Sequence, residues 1–271
     1  MVRVGVFKMG AIGTAVLLEY LLDERADRED LEVRVLTTGA KMRESDAEIA
    51  KKLKEFDPDL VLVVTPNASL PAPKVAREIL KSRTIVISDA PAKKVREELE
   101  REGFGYVIVT ADSMIGARRE FLDPTEMALY NSYVINVLAN TGALRAVQIE
   151  IDRVIEEIKE GKTPELPKTI ITAQKAVEAG RFSNPYAKAK AMAAYFIAER
   201  VADITVKACF LEKDPEKYIP LVCSAHEMMR TASKLAEEAR EIEKSNDTVF
   251  RSPHAKDGRI LEKIKLMEKP K

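Results

Sequence analysis

The segment from Ala111 to Glu126, Ala-Asp-Ser-Met-Ile-Gly-Ala-Arg-Arg-Glu-Phe-Leu-Asp-Pro-Thr-Glu, concentrates the residue types able to bind a charged ligand. Arg118 and Arg119 are adjacent planar donors suited to carboxylate or phosphate groups. Glu120 adds a carboxylate, Gly116 leaves room beside the pair, and Asp123-Pro124 marks a helix start. The segment follows the apolar run Gly105–Val109, and open α/β sheets place ligands in loops at the carboxyl ends of their strands. The plainer reading is a strand-to-helix connection with solvated arginines.

Three other loops follow apolar runs in the same way. Lys8-Met-Gly-Ala-Ile-Gly13 opens a helix, where backbone N–H groups favour an anion and glycine admits a ligand closely. It lacks the full G-x-G-x-x-G fingerprint, so it supports a nicotinamide dinucleotide only weakly. Thr65–Pro73 contains three prolines and presents Asn67, and Ser88-Asp-Ala-Pro91 places Asp89 at the rim. Asn67 alternatively bonds its own turn, and Asp89 alternatively caps the next helix.

Nucleophile and metal chemistry find little support. No HExxH, GxSxG or Cys-x-x-Cys motif occurs, and Cys209 and Cys223 lack a metal-ligand spacing, so no metal is expected. Of the two histidines, His226 and His254, the first sits near an expected helix start and reads more readily as a packed or capping residue than as a base. A reaction carried by cofactors, with the protein orienting them, fits this inventory.

The elements that hold these loops alternate between strand and helix patterns. Val2–Phe7, Glu32–Leu36, Leu60–Val64, Thr84–Ser88 and Tyr106–Val109 read as strands, with helices to about Arg25, over Ser45–Phe56 and over Lys93–Arg101. This rhythm means βαβ units and a mostly parallel, Rossmann-like sheet, assigned to an α/β domain over 1–122. Helical spacing dominates from 123 to 271, the expected helical-bundle domain. Its helices run from Pro124 to about Leu144, over Val147–Ile158 and over Tyr186–Val201, and Gly161–Pro167 reads as a linker. Ile204–Leu211 alternates and predicts a strand. Ser224 with Glu227 has the capping-box pattern for a long helix, and the tail around Pro253–Gly258 predicts a hairpin-like excursion.

Bulk properties narrow the class. The 271 residues are 46% hydrophobic, enough for a real core, and the 44 Lys+Arg balance the 44 Asp+Glu, so no net field points to nucleic acid or a membrane. Charged residues reach 32%, a density that leans toward a hot environment. Without a signal segment or an apolar run of about 20 residues, a cytoplasmic protein is expected.

Longer runs carry a family resemblance. Leu21–Asp27, Gly39–Met42, Met114–Met127, Asn184–Ala194, Ser224–Met228, Ala239–Asp247 and Pro253-His254 resemble the archaeal coenzyme F-420-dependent methylenetetrahydromethanopterin dehydrogenases across essentially the whole chain. The resemblance implies reversible hydride transfer between reduced coenzyme F-420, a 5-deazaflavin, and methenyl-tetrahydromethanopterin. It also implies an α/β domain, a helical-bundle domain with a small antiparallel sheet, and a homohexamer built as a trimer of dimers. On this basis Lys8, Gly10, Ile12, Gly13, Asn67, Asp89, Met114, Ile115 and Gly116 are candidates for the deazaflavin. Arg118, Arg119, Tyr186, Lys188 and His226 are candidates for the pterin substrate. Asp89 and Glu120 are electrostatic candidates beside its cationic one-carbon bridge, with no residue in a covalent or acid–base role.

The chain departs from the family where its loops are otherwise glycine-rich. Ala11, Ala72, Ser88 and Ala92 stand where the family pattern has Asn or Gly. Side-chain bulk at 72, 88 and 92 is expected to crowd the approach of a flat cofactor. The alternative that this leaves is a non-catalytic or cofactor-switched paralogue binding pterin or deazaflavin.

Overall fold

The computed structural model describes residues 1–271. The five apolar runs form parallel strands: β1 (Val2–Lys8), β2 (Leu31–Thr37), β3 (Leu60–Thr65), β4 (Thr84–Ser88) and β5 (Gly105–Val109). Every residue of β3, β4 and β5 is buried, as strands covered on both faces require. A sixth strand, β6 (Lys168–Ile171), extends the sheet by pairing with β5, so the sheet draws an edge strand from beyond residue 122. Four residues beside a linker-like run are too few to show a period, which hid β6 in the sequence. The strand order is β2-β1-β3-β4-β5-β6, and it reverses direction between β1 and β3.

Helices cover both faces. On one side α1 (Gly13–Leu22), α6 (Pro124–Asn140) and α7 (Ala143–Lys159) pack against the strands, with α9 (Pro185–Val206) and α10 (Pro215–Ser245) joining the same core. Two smaller cores on the other side belong to α2 (Glu44–Ala47), α3 (Lys51–Lys54) and α4 (Pro71–Leu80), and to α5 (Arg96–Arg101). The helix expected over Ser45–Phe56 is thus broken, with a 3-10 turn at Glu48–Ala50 between α2 and α3. The remaining helix, α8 (Ala173–Gly180), follows β6 and packs on α7. Asp123 caps α6 by accepting the Glu126 N–H at 2.7 Å, and Asn184 caps α9, each followed by proline in the first turn.

Two further expectations fail. Ile204–Leu211 is the end of α9 followed by a π-helical turn at Lys207–Leu211, because eight alternating residues also match one face of a helix. Ser224 lies inside α10, its hydroxyl donating to the Leu221 carbonyl at 2.8 Å; the cap is Asp214, ten residues earlier. The antiparallel element is confined to the tail, where Arg251 pairs with Lys263 and His254 with Ile260 around Gly258.

Candidate functional site

A cleft of about 360 Å³ opens at the carboxyl end of the sheet, beside the point where the strand order reverses. Its size falls within the usual range for a small-molecule site, and its lining is mainly apolar. Asn67 after β3, Asp89 after β4 and Met114 beyond β5 line the strand side, with Met42 after β2. Thr205 at the end of α9 and Phe210 on the π-helical turn close the opposite side. Gly10 sits just behind this wall at φ +79°, where a Cβ would meet Met42 Sδ and Pro66 Cδ, each at 2.8 Å. Both the conformation and the space demand glycine.

The lining loops are held from behind. Asn67 Oδ1 accepts the Ser69 N–H at 3.0 Å, so its oxygen does serve its own turn while its side chain faces the cleft. Ser88 Oγ accepts the Ala68 N–H at 3.2 Å, and fully buried Arg77 donates to the Ala68 carbonyl at 2.9 Å. Asp89 is buried and accepts the Ala90 N–H, acting as both a cap and a cleft residue. Burial, reinforced by the charge of Asp112, pushes its carboxyl well above the usual carboxylate range.

The helix start after β1 is already satisfied. Fully buried Asp112 accepts the N–H groups of Gly13 and Thr14, both at 2.7 Å, and the Thr14 hydroxyl as well. An anionic ligand therefore has no claim on these donors. Gly13 instead permits packing, since a Cβ there would lie 2.6 Å from Val134 Cγ1. Ile12 and Ile115 are buried in the main core, and Lys8 pairs with Glu19 at 2.5 Å.

The Ala111–Glu126 segment divides its labour. Ser113 Oγ donates to the Ala198 carbonyl at 2.6 Å and the Tyr130 hydroxyl to the Ser113 carbonyl at 3.0 Å, which fixes the chain just before Met114. Gly116 lets α10 approach, a Cβ being 2.7 Å from Val222 Cγ1. Arg118 is spent internally: its guanidinium donates to the carbonyls of Ala208 and Glu212 and stacks 4.1 Å from the Tyr218 ring centre. That correction has a plain cause, since a π-helical turn leaves carbonyls in need of donors. Arg119 is exposed and makes no hydrogen bond or ion pair. Glu120 accepts the Tyr218 hydroxyl at 2.8 Å, which lowers its pKa.

The other candidates stand apart from the cleft. His226 is buried between Phe121 and Tyr130, each ring 4.6 Å away, and burial lowers its pKa against the pull of Glu126. It supports Tyr130, which in turn holds the Ser113 backbone. Tyr186 and Lys188 occupy the first turn of α9, about 24 Å along the helix from Ala202 at the cleft. Ser88, Ala72 and Ala92 are all buried within the fold, and none lines the cleft. The bulk that sequence comparison places in the cofactor's path is absorbed by the core.

Sequence reasoning missed Asp112, Arg77, Thr205 and Phe210. Asp112 lies inside the segment that attracted attention, but its partners are 98 and 99 residues away. Thr205 and Phe210 were obscured by the strand reading of their segment.

The geometry therefore presents a preformed, mostly apolar slot at a topological switch point, with a buried carboxyl of raised pKa and a free arginine on its flanking loop. Comparisons with known proteins point to one family. A family model described as methylene-5,6,7,8-tetrahydromethanopterin dehydrogenase matches residues 2–271. An F-420-dependent methylenetetrahydromethanopterin dehydrogenase of Archaeoglobus fulgidus is 72% identical over 270 residues, covering 99% of both chains. The protein of the same description from Methanocaldococcus jannaschii is 57% identical over 274 residues, again with 99% of each covered. A solved F-420-dependent methylene-tetrahydromethanopterin dehydrogenase, in complex with methylene-tetrahydromethanopterin and coenzyme F-420, superposes with a TM-score of 0.97 at 49% identity and covers both chains completely. With a slot of this kind and a match from Val2 to the last residue, the chain belongs to the methylene-5,6,7,8-tetrahydromethanopterin dehydrogenase family.

Proposed function

We propose that the protein is a coenzyme F-420-dependent oxidoreductase that moves a hydride reversibly between reduced coenzyme and methenyl-tetrahydromethanopterin, giving methylene-tetrahydromethanopterin. The observation that carries this reading is the cleft at the strand-order reversal, in a chain 72% identical to an enzyme of that description. The apolar walls at Met42, Leu70 and Phe210 suit a flat ring system, and Asn67, Asp89 and Met114 would hold its edge. The 5-deazaflavin, when bound, supplies or receives the hydride.

This chain's residues orient and exclude water. Rigid loops tied by Arg77, Ser88 and Tyr130 fix the lining, and orientation of that kind contributes about 7–11 kcal/mol to such a transfer. The Asp89 carboxyl faces the cleft from a desolvated position. A cationic one-carbon bridge nearby favours its ionised form, and the resulting attraction is strong in a water-poor site. Exposed, unpaired Arg119, five residues beyond cleft-lining Met114, is our candidate for the acidic side arm of the pterin or the anionic coenzyme tail. The hydride transfer itself passes no proton to or from either carboxylate candidate, Asp89 or Glu120.

Mixing the purified protein with reduced coenzyme and the methenyl substrate, and following absorbance of the oxidised deazaflavin, tests the activity. Turnover is expected, and a folded protein that gives none at elevated temperature would sink the reading. Assembly as a homohexamer, a trimer of dimers, is supported by large apolar side chains left exposed in the single chain, among them Phe196 and Leu211. Sizing by light scattering checks it. No helix is long and apolar enough to cross a membrane.

A further inference from the structure

A second pocket, of about 150 Å³, lies at the opposite end of the helical layer and shares no lining residue with the cleft. Helix α6 holds the cleft-lining segment through Tyr130 and reaches this pocket at Asn140, about 15 Å further along. The volume is too small for a pterin or deazaflavin ring system and suits an ion with a few waters.

The lining is unusual in charge. Arg145, Arg181 and Arg240 line the pocket, with Glu243 as the carboxylate among them. Glu243 is already engaged, accepting the Asn184 N–H at 2.7 Å and the Thr248 hydroxyl. Arg181 reaches Glu262 at 3.0 Å, and the same carboxylate is only loosely shared with Arg145 at 3.8 Å. The Arg145 side chain is 17% exposed, and its buried Nε has no hydrogen-bond partner. Arg240 is half-buried and makes no hydrogen bond or ion pair at all. Arg145 and Arg181 each stand 3.9 Å from the Phe250 ring centre, which holds both guanidinium planes in place.

Of the three, half-buried Arg240 lacks any acceptor and Arg145 lacks one at its buried Nε, whereas exposed Arg181 already has Glu262. Partly desolvated guanidinium groups without acceptors are costly to keep and are the usual means of binding tetrahedral oxyanions. We propose that this pocket binds a free oxyanion of phosphate or sulfate size, held by Arg240, Arg145 and Arg181. The ion ties the α6–α7 turn and the ends of α8 and α10 to the C-terminal tail at Val249–Ser252, so its effect is on stability rather than on hydride transfer.

The test uses the full-length protein with inorganic phosphate as probe, at ionic strength held constant with potassium chloride. Thermal melts and titration calorimetry are run on wild type, Arg240→Gln and Arg145→Gln. Wild type is expected to bind saturably, with Tm raised by about 3 °C once phosphate exceeds its Kd tenfold. Arg240→Gln, which breaks no existing bond, should weaken binding about tenfold and leave kcat unchanged. Arg145→Gln provides the same comparison at a second position. Phosphate that produces no saturable heat in wild type overturns the proposal. So does an equal Tm rise in all three proteins, which is the general salt effect. A change of oligomer size in Arg240→Gln without phosphate binding to wild type also overturns it, because the pocket then receives another chain.

Discussion

The Asp112 carboxylate accepts the Gly13 N–H at 2.7 Å, joining the exit of β5 to the first turn of α1 across 99 residues of sequence. With the Thr14 N–H and hydroxyl on the other oxygen, one side chain satisfies three donors at the rim of the sheet. Burial pushes the Asp112 pKa up while these bonds pull it down, and the net direction is up. The arrangement replaces a ligand anion with an internal one and locks the loop that carries Gly10.

Replacing Asp112 with alanine strands buried N–H groups at a helix start. A loss of about 3 kcal/mol is expected, since each unsatisfied donor costs about 1–3 kcal/mol. Asp112→Asn, which retains one acceptor oxygen, should recover part of it. Denaturant titration of the two variants checks the order; equal stability of Asp112→Ala and wild type would refute the role.

The adjacent arginines should separate cleanly. Arg118→Ala removes donors to the Ala208 and Glu212 carbonyls and the stack on Tyr218, so it is expected to cost about 2 kcal/mol and to loosen the π-helical turn that carries Phe210. Arg119→Ala, at an exposed side chain with no partner, should stay within about 0.5 kcal/mol of wild type yet raise the KM for the pterin or the coenzyme. Melting curves alongside steady-state kinetics decide it, and unchanged kinetics in Arg119→Ala would leave that residue without a binding role.

The two arginines also mark how far the sequence could be read. Apolar runs give the parallel strands because strands buried on both faces have a distinctive composition. They give the cleft's position too, because loops after such strands converge at one edge, and Asn67, Asp89 and Met114 are found there. Arg118 and Arg119 are identical as letters, and only the carbonyls presented by a π-helical turn 90 residues later distinguish them. The same limit applies to Ser88, Ala72 and Ala92, whose bulk looks obstructive until the fold shows it facing the core. Short β6 and the misread Ile204–Leu211 segment fail for a different reason: neither is long enough for its period to identify it.

The C-terminal tail should respond to pH through His254. This fully buried imidazole meets Asp152 at 2.9 Å through Nε2, and its backbone N–H donates to Glu24 at 2.6 Å. Burial acts to lower its pKa, but the Asp152 hydrogen bond and charge outweigh it, leaving the folded value raised. Its stabilising contribution is therefore complete below the unfolded value near 6.5 and is lost as pH rises through the folded value. Hydrogen exchange of residues 251–263 should accelerate across that window. In Asp152→Asn the pH response should disappear, and an unaltered response there would exclude the pair as its origin.

Asp89 carries the opposite sign. Its folded pKa is raised mainly by desolvation, so the cost to stability is absent below the unfolded value of about 3.9 and grows as pH rises through the folded value. Asp89→Asn keeps an oxygen for the Ala90 N–H and removes the charge, so the variant should melt at or above the wild-type temperature at pH 7 and converge with it near pH 4. Catalysis should move the other way. If the ionised carboxyl stabilises a cationic one-carbon bridge, kcat/KM should fall about tenfold or more while the protein becomes no less stable. Parallel Tm and kinetic profiles from pH 4 to 8 separate these effects. Asp89→Asn with wild-type kcat/KM would remove Asp89 from the electrostatic role, and lower stability at pH 7 would show that the buried carboxyl is held by interactions beyond its bond to Ala90.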